Sequence, residues 1–288
     1  MFVNYRIIPG FQNLFTDYLY NFGKVSEFFP ADFRQKDKYP DIFNSVPEKK
    51  LNTLPDLSKI IMAQYEGLRI SKQTSSNISS LPEKNTIAVL TGQQLGVFGG
   101  PMYTIYKTLT AIKLCNALKY EFSEFNFVPV FWLEADDHDF DEVKSIKMPD
   151  LNNDLSEIIY NPPIAEDAPR NSVGYIKLTK EIEDTFSALG GVLRDNEFKP
   201  SVMELLHKAY SEGNTMKDSF SRLMFDLFDE YGLILFNPQD PAVKKMLRPV
   251  FSKEIEDFRS HRSSLVQRSA DLEEFYHAQV KVRPMNLF

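Results

Sequence analysis

Short apolar runs separated by amphipathic segments organise this chain. Three runs, at 86–91, 127–133 and 232–236, have the length and the β-branched or aromatic content of buried strands. Between the first two, apolar residues recur at the spacing of a helix, as at Ile105 and Leu109. The order of strand, helix, strand, inserted segment, helices and strand predicts an α/β fold with a mostly parallel sheet.

The same pattern divides the chain into four regions. We expect a helical, wrapping N-terminal region, the first half of the core, a small inserted connecting module, and an incomplete second part of the core with a helical segment. These regions are 1–80, 81–144, 145–200 and 201–288. Within them the pattern predicts one helix over about 57–77 with a linker at 75–80, and short strands at 156–160 and 173–178.

The last residues, 277–288, alternate like a strand and then stop without a turn or a polar tail. Such an ending is expected of a chain truncated at its C-terminus. A truncated core would leave an unpaired strand edge and an exposed apolar face.

A glycine-rich segment joins the first strand to the following helix. It contains Gly92, Gly96, Gly99 and Gly100, and we expect the helix to begin at Pro101 with Gly100 as its N-cap. Glycine lets the backbone approach a ligand, and the free N–H groups of a helix N-terminus attract anions. The segment therefore predicts a pocket for a nucleotide or a carboxylate. The alternative is a connection in which the glycines only permit tight packing.

This segment matches neither of the common phosphate-binding signatures. Gly92 and Gly96 are too far apart for Gly-x-Gly-x-x-Gly, and Lys107 lies too deep in the helix for a P-loop. Two adjacent amides, Gln93 and Gln94, stand at the carboxyl end of the strand, where ligands bind in such sheets. They favour ligand binding over packing alone.

An acidic segment, 132–142, begins at the end of the second strand. Its carboxylates surround His138, and Asp136 and Asp137 are nearest to the strand end. Because the carboxyl ends of parallel strands share one edge, this segment and the glycine-rich segment are expected to line one crevice. The cluster suits a divalent metal, an amine or acid/base catalysis, and the alternative is a solvated acidic loop. The spacing of zinc ligands is absent, and we assign no metal ligand.

Two further positions are candidates for ligand contacts. Asn214 precedes a helix, where it or Thr215 is either the N-cap or part of a second helix N-terminus offered to a ligand. His277 begins the last apolar segment and is either a site residue or a buried, hydrogen-bonded one. Trp132 and Cys115 lie in apolar patterns and are expected in the core.

Composition excludes several classes of protein. The net charge of −7 argues against general nucleic-acid binding. One cysteine, Cys115, excludes an internal disulfide. No apolar run is long enough to span a membrane and the first residues lack a signal-peptide pattern, so we expect a cytoplasmic protein outside the membrane.

Several segments, in the same order along the chain, resemble the bacillithiol-synthesis cysteine-adding enzymes. These segments are 91–107, 128–132 with 136–142, 213–215, 231–235 and 276–280. One departure is Asp136, where the family more often has glutamate. The resemblance implies a Rossmann-like core with connecting insertions, in proteins that are longer than this chain and form homodimers through a coiled coil.

The resemblance also implies a ligase that joins cysteine to glucosaminyl-malate in the last step of bacillithiol synthesis. Amide formation requires an activated carboxyl group, for which ATP, with Mg²⁺ if a metal is used, is expected by analogy with cysteine-activating synthetases. The glycine turn would hold phosphate or carboxylate oxygens, and Asp137 or His138 would take the proton of the attacking amine. Alternatively, Asp136 and Asp137 would bind the Mg²⁺ ion.

The resulting expected catalytic residues are Asp137, His138 and Gln94. The expected binding residues are Gly92, Gln93, Gly99, Gly100, Thr104, Asp136, Asn214 and His277. Two other functions stay open at this point: a non-catalytic nucleotide- or sugar-binding module, and a dinucleotide-dependent oxidoreductase. The missing dinucleotide fingerprint disfavours the oxidoreductase.

Overall fold

A computed structural model describes residues 3–48, 54–163 and 171–285. The strands are β1 (Thr86–Gln94), β2 (Asn126–Glu134), β3 (Ser145–Pro149), β4 (Leu155–Ile159) and β5 (Ile234–Phe236). The helices before the inserted module are α1 (Asn13–Tyr20), α2 (Tyr39–Glu48), α3 (Leu54–Ala63), α4 (Lys72–Ser80), α5 (Tyr103–Glu121) and α6 (Phe140–Val143). The later helices are α7 (Ile182–Val192), α8 (Lys199–Ala209), α9 (Met216–Phe228), α10 (Pro241–Met246) and α11 (Arg248–Glu273).

The central sheet is parallel and has the order β1-β2-β5, which confirms the predicted α/β fold class. β1 and β2 pair along their whole length, from Thr86 opposite Asn126 to Gln94 opposite Glu134. β5 pairs only with 130–132 of β2. Pro129 therefore faces no strand on the β5 side, which explains how a proline is tolerated in the central strand.

Aromatic side chains fill the space between the sheet and its covering helices. Phe131 of β2 is fully buried, and its ring centroid lies 5.9 Å from that of Phe220 in α9. At the neighbouring position, the ring centroid of Trp132 lies 4.8 Å from that of Phe236 in β5, but Trp132 is half-buried, so the core position expected for it is not a fully buried one. Burying each such side chain stabilises the fold by about 1.5–3 kcal/mol. This packing holds the three strand ends at one edge.

Side chains close the outer edge of β5 where another strand would otherwise pair. The Leu235 N–H donates to the Tyr65 hydroxyl at 2.6 Å, and the Asn237 N–H donates to Gln64 Oε1 at 3.0 Å. Asn77 Nδ2 donates to the Gly232 carbonyl oxygen at 2.7 Å. The expectation of an open edge is therefore wrong at β5.

The other edge of the sheet, along β1, remains open within the described residues. Leu90, in the middle of β1, is 60% exposed. Because strand side chains project from the faces of a sheet, this exposure concerns a sheet face beside β1 and not its edge hydrogen bonds.

The single helix predicted over 57–77 is wrong. Two helices, α3 and α4, occupy this region, and the turn between them contains Gly67 at φ +82°, a backbone angle that glycine adopts without strain. The predicted linker at 75–80 is also wrong, because α4 continues to Ser80 and buries Asn77 against the loop that precedes β5.

Three smaller expectations also need correction. The predicted strand at 173–178 is a 3₁₀ helix, Val173–Tyr175, and the antiparallel hairpin of the inserted module is β3 with β4. Helix α5 begins at Tyr103 with Met102 as its N-cap, two residues later than predicted from Pro101. The described part of the last segment, 277–285, has no strand.

The chain forms two compact units, Val46–Lys244 and a unit composed of Met1–Ser45 and Lys245–Phe288. The sheet lies in the first of these. The four regions expected from sequence follow the order of elements rather than these units, and they stay a prediction. In the described ranges, no helix combines the length and the apolar content needed to cross a membrane.

Candidate active site

The two adjacent glutamines at the end of β1 belong to two different networks. Gln93 Nε2 donates to the Tyr103 hydroxyl at 3.2 Å, and Gln93 Oε1 accepts from Lys107 Nζ at 3.1 Å. Gln94 Nε2 instead donates to Asp137 and Glu142. Successive strand side chains point to opposite faces, so the two amides cannot serve one ligand in the same way.

An acidic cluster, which we define as Glu134, Asp136, Asp137 and Glu142, lies at the carboxyl ends of β1 and β2. Gln94 organises it, because its Nε2 donates to Asp137 Oδ2 at 2.5 Å and to Glu142 Oε2 at 2.8 Å. One neutral amide thus holds two carboxylates of distant sequence positions side by side.

Asp137 is held in its ionised form. Its Oδ1 accepts the backbone N–H of His138 at 2.7 Å and that of Asp139 at 3.2 Å. The hydrogen bond from Gln94, followed by these backbone donors, lowers the pKa of Asp137 below its ordinary value. These contacts favour the charged carboxylate, which attracts a cationic group, and the role of Asp137 as proton acceptor stays a prediction.

The pKa of Glu134 is shifted in the opposite direction to that of Asp137. Glu134 is the last residue of β2, lies opposite Gln94 in register, and is partly buried. Burial, and then the negative charges of Asp136 and Asp137, raise the pKa of Glu134. Two neighbouring carboxyl groups whose pKa values are pushed apart are suited to different roles in proton transfer. Glu134 was not among the site residues expected from sequence, and its place at a strand end was the signal that could have made it a candidate.

Asp136 pairs with a lysine that sequence reasoning did not find. Lys244 Nζ forms an ion pair with Asp136 Oδ2, although the two residues are 108 positions apart. Lys244 is in α10, which follows β5. The segment after the third strand therefore also supplies a side chain to this edge of the sheet. No local pattern relates these two residues, which is why the pair could not be predicted.

A buried glutamine fixes the backbone that carries the acidic cluster. Gln239 is 5% exposed, and its Nε2 donates to the Ala135 carbonyl oxygen at 2.8 Å and to Ser172 Oγ at 3.0 Å. The Val173 N–H donates to the Asp137 carbonyl oxygen at 2.7 Å. A Cβ on Gly174 would lie 2.9 Å from the Ala135 carbonyl oxygen, so a larger residue would force this backbone contact to shift. The loop after β2 is therefore held from two sides.

His138 is at the outer rim of the cluster. Its side chain is 73% exposed, and Nδ1 lies 3.8 Å from Asp137 Oδ1. Gln94 and His138 are both neighbours of Asp137 and so lie at the same edge of the sheet. Their catalytic roles stay predictions.

Most of the glycine-rich turn serves packing and hydrogen bonds within the protein. A Cβ on Gly92 would lie 2.8 Å from the Trp132 carbonyl oxygen, which ties this glycine to the contact between β1 and β2. The Gly99 N–H donates to the Tyr210 hydroxyl at 3.1 Å, and the Gly100 N–H donates to the Val97 carbonyl oxygen at 2.9 Å. The expectation of free amides is thus wrong at Gly99 and Gly100.

Thr104 lies behind this turn rather than on a surface. It is fully buried, and its hydroxyl Oγ1 has no hydrogen-bond partner among the described residues. A Cβ on Gly100 would lie 3.8 Å from that oxygen. The binding roles predicted for Thr104 and for the glycines have no further support from this geometry.

The two remaining candidates are not members of the acidic cluster. Asn214 Nδ2 donates to Ser211 Oγ at 3.0 Å, while Thr215 Oγ1 caps α9 by accepting the Asp218 N–H at 3.0 Å. Thr215 is therefore the N-cap, and Asn214 shapes the turn before it. His277 is exposed and belongs to the other compact unit.

Cys115 and the potential metal ligands are two further features of chemical interest. Burial raises the pKa of the Cys115 thiol to about 12, as expected for a core residue rather than a nucleophile. Among the residues that the structure describes, no group of three or more histidine, cysteine, aspartate or glutamate side chains is arranged to hold a metal ion.

Comparison with known proteins identifies the family. A family model described as "Bacillithiol biosynthesis BshC, N-terminal Rossmann-like domain" matches residues 2–288. The chain belongs to the BshC family. This result confirms both the resemblance found in the sequence and the Rossmann-like fold class.

Curated BshC relatives carry a consistent name. A protein of Salinibacter ruber is 36% identical over 98% of this chain and 51% of its own length, and one of Chlorobaculum tepidum is 34% identical over 97% and 50%. A third, of Chloroherpeton thalassium, is 32% identical over 96% and 50%. Each is named "Putative cysteine ligase BshC". The chain therefore spans about half the length of the curated relatives that it matches.

Proposed function

We propose that this chain provides the amine-binding site of a cysteine ligase that acts in the last step of bacillithiol synthesis. In this role the acidic cluster binds the amino group of glucosaminyl-malate, which then attacks the activated carboxyl group of cysteine. The observation that carries the proposal is the Gln94 amide bridging Asp137 and Glu142 at the carboxyl edge of the sheet. The names of the relatives support the reaction class.

The chemistry of amide formation requires two functions from the protein. A sugar amine is largely protonated near neutral pH, and it must lose a proton before it can attack a carbonyl carbon. Asp137, whose pKa is lowered, attracts the ammonium group and stays ionised. Glu134, whose pKa is raised, accepts the proton as the nitrogen becomes a nucleophile.

Lys244 contributes by limiting the negative charge of the cluster. Its ion pair with Asp136 neutralises the charge of that carboxylate. An incoming ammonium group would then interact with the other carboxyl groups of the acidic cluster. Gln239 keeps the loop in place, because its two hydrogen bonds fix Ala135 and Ser172. Preorganised groups of this kind bind the reacting atom without rearrangement.

Activation of the cysteine carboxylate by ATP is part of the proposal. Mg²⁺ would enter with the nucleotide phosphates. We assign no step to the ion. A homodimer and a cytoplasmic location are likewise proposed for the longer BshC proteins.

Mass spectrometry of the thiol product tests the proposal. The purified chain is incubated with glucosaminyl-malate, cysteine and ATP, with the Salinibacter ruber protein as a positive control. The expected result is product from the wild-type chain and at least about 100-fold less from Glu134→Gln, in line with the loss of a general base. Product formation that is unchanged in Glu134→Gln and in Asp137→Asn would contradict the assigned roles.

A non-catalytic binding module is the second candidate, favoured by the fact that the chain spans about half of its relatives. This candidate predicts that the chain binds glucosaminyl-malate through the acidic cluster but forms no product. Absence of both binding and product would contradict both functions.

A further inference from the structure

We propose that Lys107, together with Gln93 and Tyr103, forms an anion-binding subsite for a carboxylate or phosphate group of a substrate. The proposal deepens the function proposed above and rests on it for the choice of substrates. This subsite lies at the end of β1 that faces α5. The acidic cluster, in contrast, is contacted by Gln94.

Lys107 lies nearer to the start of its helix than the sequence pattern predicts. Helix α5 begins at Tyr103, so Lys107 is only one turn into the helix, on the same face as Tyr103. Its Nζ donates to the Gly92 carbonyl oxygen at 2.7 Å and to Gln93 Oε1 at 3.1 Å. The ammonium group therefore stands at the carboxyl end of β1, where ligands bind in open α/β sheets.

The charge of Lys107 is not compensated by the protein. Both of its hydrogen-bond acceptors are neutral, and in the described part of the chain Nζ has no carboxylate partner. An ammonium group has three N–H donors, so one remains for a ligand. A fixed cation with a spare donor is what an anionic oxygen requires.

The position of this cation is set by its neighbours. Nζ lies 5.8 Å from the centroid of the Tyr103 ring, and the Tyr103 hydroxyl accepts a hydrogen bond from Gln93 Nε2 at 3.2 Å. The ring thus supports the ammonium group and also orients the amide that contacts it. Holding a flexible lysine in one place reduces the entropy that binding would otherwise cost.

The two faces of the sheet at the end of β1 would then recognise ligand groups of opposite charge. The Gln94 side presents carboxylates to an amine, and the Gln93 side presents an ammonium group to an anion. Both charges occur among the substrates of the proposed reaction: cysteine carries a carboxylate, glucosaminyl-malate carries an amine and carboxylates, and an activating nucleotide carries phosphates.

Isothermal titration calorimetry with paired ligands tests the subsite and its source of anion. The chain is titrated with L-cysteine against cysteamine, which lacks the carboxylate, with glucosaminyl-malate against glucosamine, and with inorganic pyrophosphate. Lys107→Met is expected to weaken binding of at least one anionic ligand about tenfold, and to leave the affinities for cysteamine and glucosamine unchanged. The pair that responds identifies the anion.

The control is Lys113→Met, which removes another exposed lysine of α5 and should change none of these affinities. Lys107→Arg keeps the charge and should retain most of the affinity. Equal affinities of Lys107→Met and Lys113→Met for every anion would overturn the proposal and leave Lys107 as a cap on the Gly92 carbonyl. Failure of the wild-type chain to bind any of the anions up to about 10 mM would also overturn it.

These outcomes are separate from those of the proposed function. If Lys107→Met loses anion binding but Asp137→Asn does not change amine binding, the anion subsite is supported and the ligase proposal is contradicted. If Lys107→Met keeps its anion binding and Asp137→Asn loses amine binding, the ligase proposal is supported and the anion subsite is contradicted.

Discussion

Gln94 and Asp137 are 43 residues apart in the sequence, yet Gln94 Nε2 lies 2.5 Å from Asp137 Oδ2. The second N–H of the same amide donates to Glu142. The pair joins the end of β1 to the loop after β2, and it converts two mutually repelling carboxylates into one binding surface. The central claim is that this surface recognises an amine.

Replacing Gln94 with leucine should separate these carboxylates. A hydrogen bond to a charged group contributes about 1.5–3 kcal/mol, so we expect glucosaminyl-malate to bind about 10- to 100-fold more weakly to Gln94→Leu. Calorimetric titration measures the change. Gln12→Leu is the matched control, because Gln12 is exposed and its side chain makes no capping hydrogen bond. Equal losses in both variants would argue against the bridge.

Glu134→Gln should separate activity from stability. Because the pKa of folded Glu134 is raised, the folded state holds a proton that the unfolded chain releases, and stability falls as the pH rises from the ordinary glutamate value through the raised one. The variant removes this loss, so it should be more stable than the wild type at neutral pH while its turnover falls. Urea unfolding as a function of pH measures the slope.

The matched control for this experiment is Glu124→Gln, at an exposed position before β2. It should follow the pH dependence of the wild type. A Glu134→Gln variant with the same slope as the wild type would show that the carboxyl group has no unusual pKa, and the role as proton acceptor would lose its basis.

Removing the hydroxyl group of Tyr65 should weaken the closed edge of the sheet. In Tyr65→Phe the Leu235 N–H loses its acceptor at 2.6 Å while it stays buried. An unsatisfied buried donor costs about 1–3 kcal/mol, which we expect as a decrease in the free energy of unfolding. Tyr120→Phe, at a site that is 93% exposed, should change it by less than about 0.5 kcal/mol. Comparable values for the two variants would refute the edge-capping role.

Alanine at Gly92 should test whether this glycine serves the sheet. The new Cβ would lie 2.8 Å from the Trp132 carbonyl oxygen, so we expect a loss of about 1–3 kcal/mol in the free energy of unfolding. Gly191→Ala is a useful contrast, since nothing lies within 4 Å of its Cβ and it is in α7. It should be neutral or stabilising by up to about 1 kcal/mol. A neutral Gly92→Ala would return Gly92 to the group of ligand-contact candidates.

The sequence was sufficient to predict the parallel sheet and the edge at which the candidate site lies. Strands β1, β2 and β5 are short apolar runs, and their helical connections imply parallel pairing, so the ends of β1 and β2 had to meet. The proximity of Gln94 to Asp137 follows from that pairing. Local patterns were enough because each strand is defined by its own residues.

Hydrogen bonds and ion pairs between residues distant in sequence could not be predicted. Tyr65 closes β5 at a separation of 170 residues, and Lys244 meets Asp136 at 108. The Gly99 amide is taken by Tyr210, 111 positions later. A single sequence carries no sign of such partners, because each depends on how helices pack against the sheet. For the same reason, the prediction of free amides in the glycine turn was wrong.

The most direct test of the central claim compares glucosaminyl-malate with its N-acetylated counterpart, which has no amine, by calorimetric titration at neutral pH. If the acidic cluster recognises the amine, the wild-type chain should bind the free amine at least about tenfold more tightly, and Asp137→Asn should remove that preference. Equal affinity of the wild-type chain for the two ligands would contradict the account.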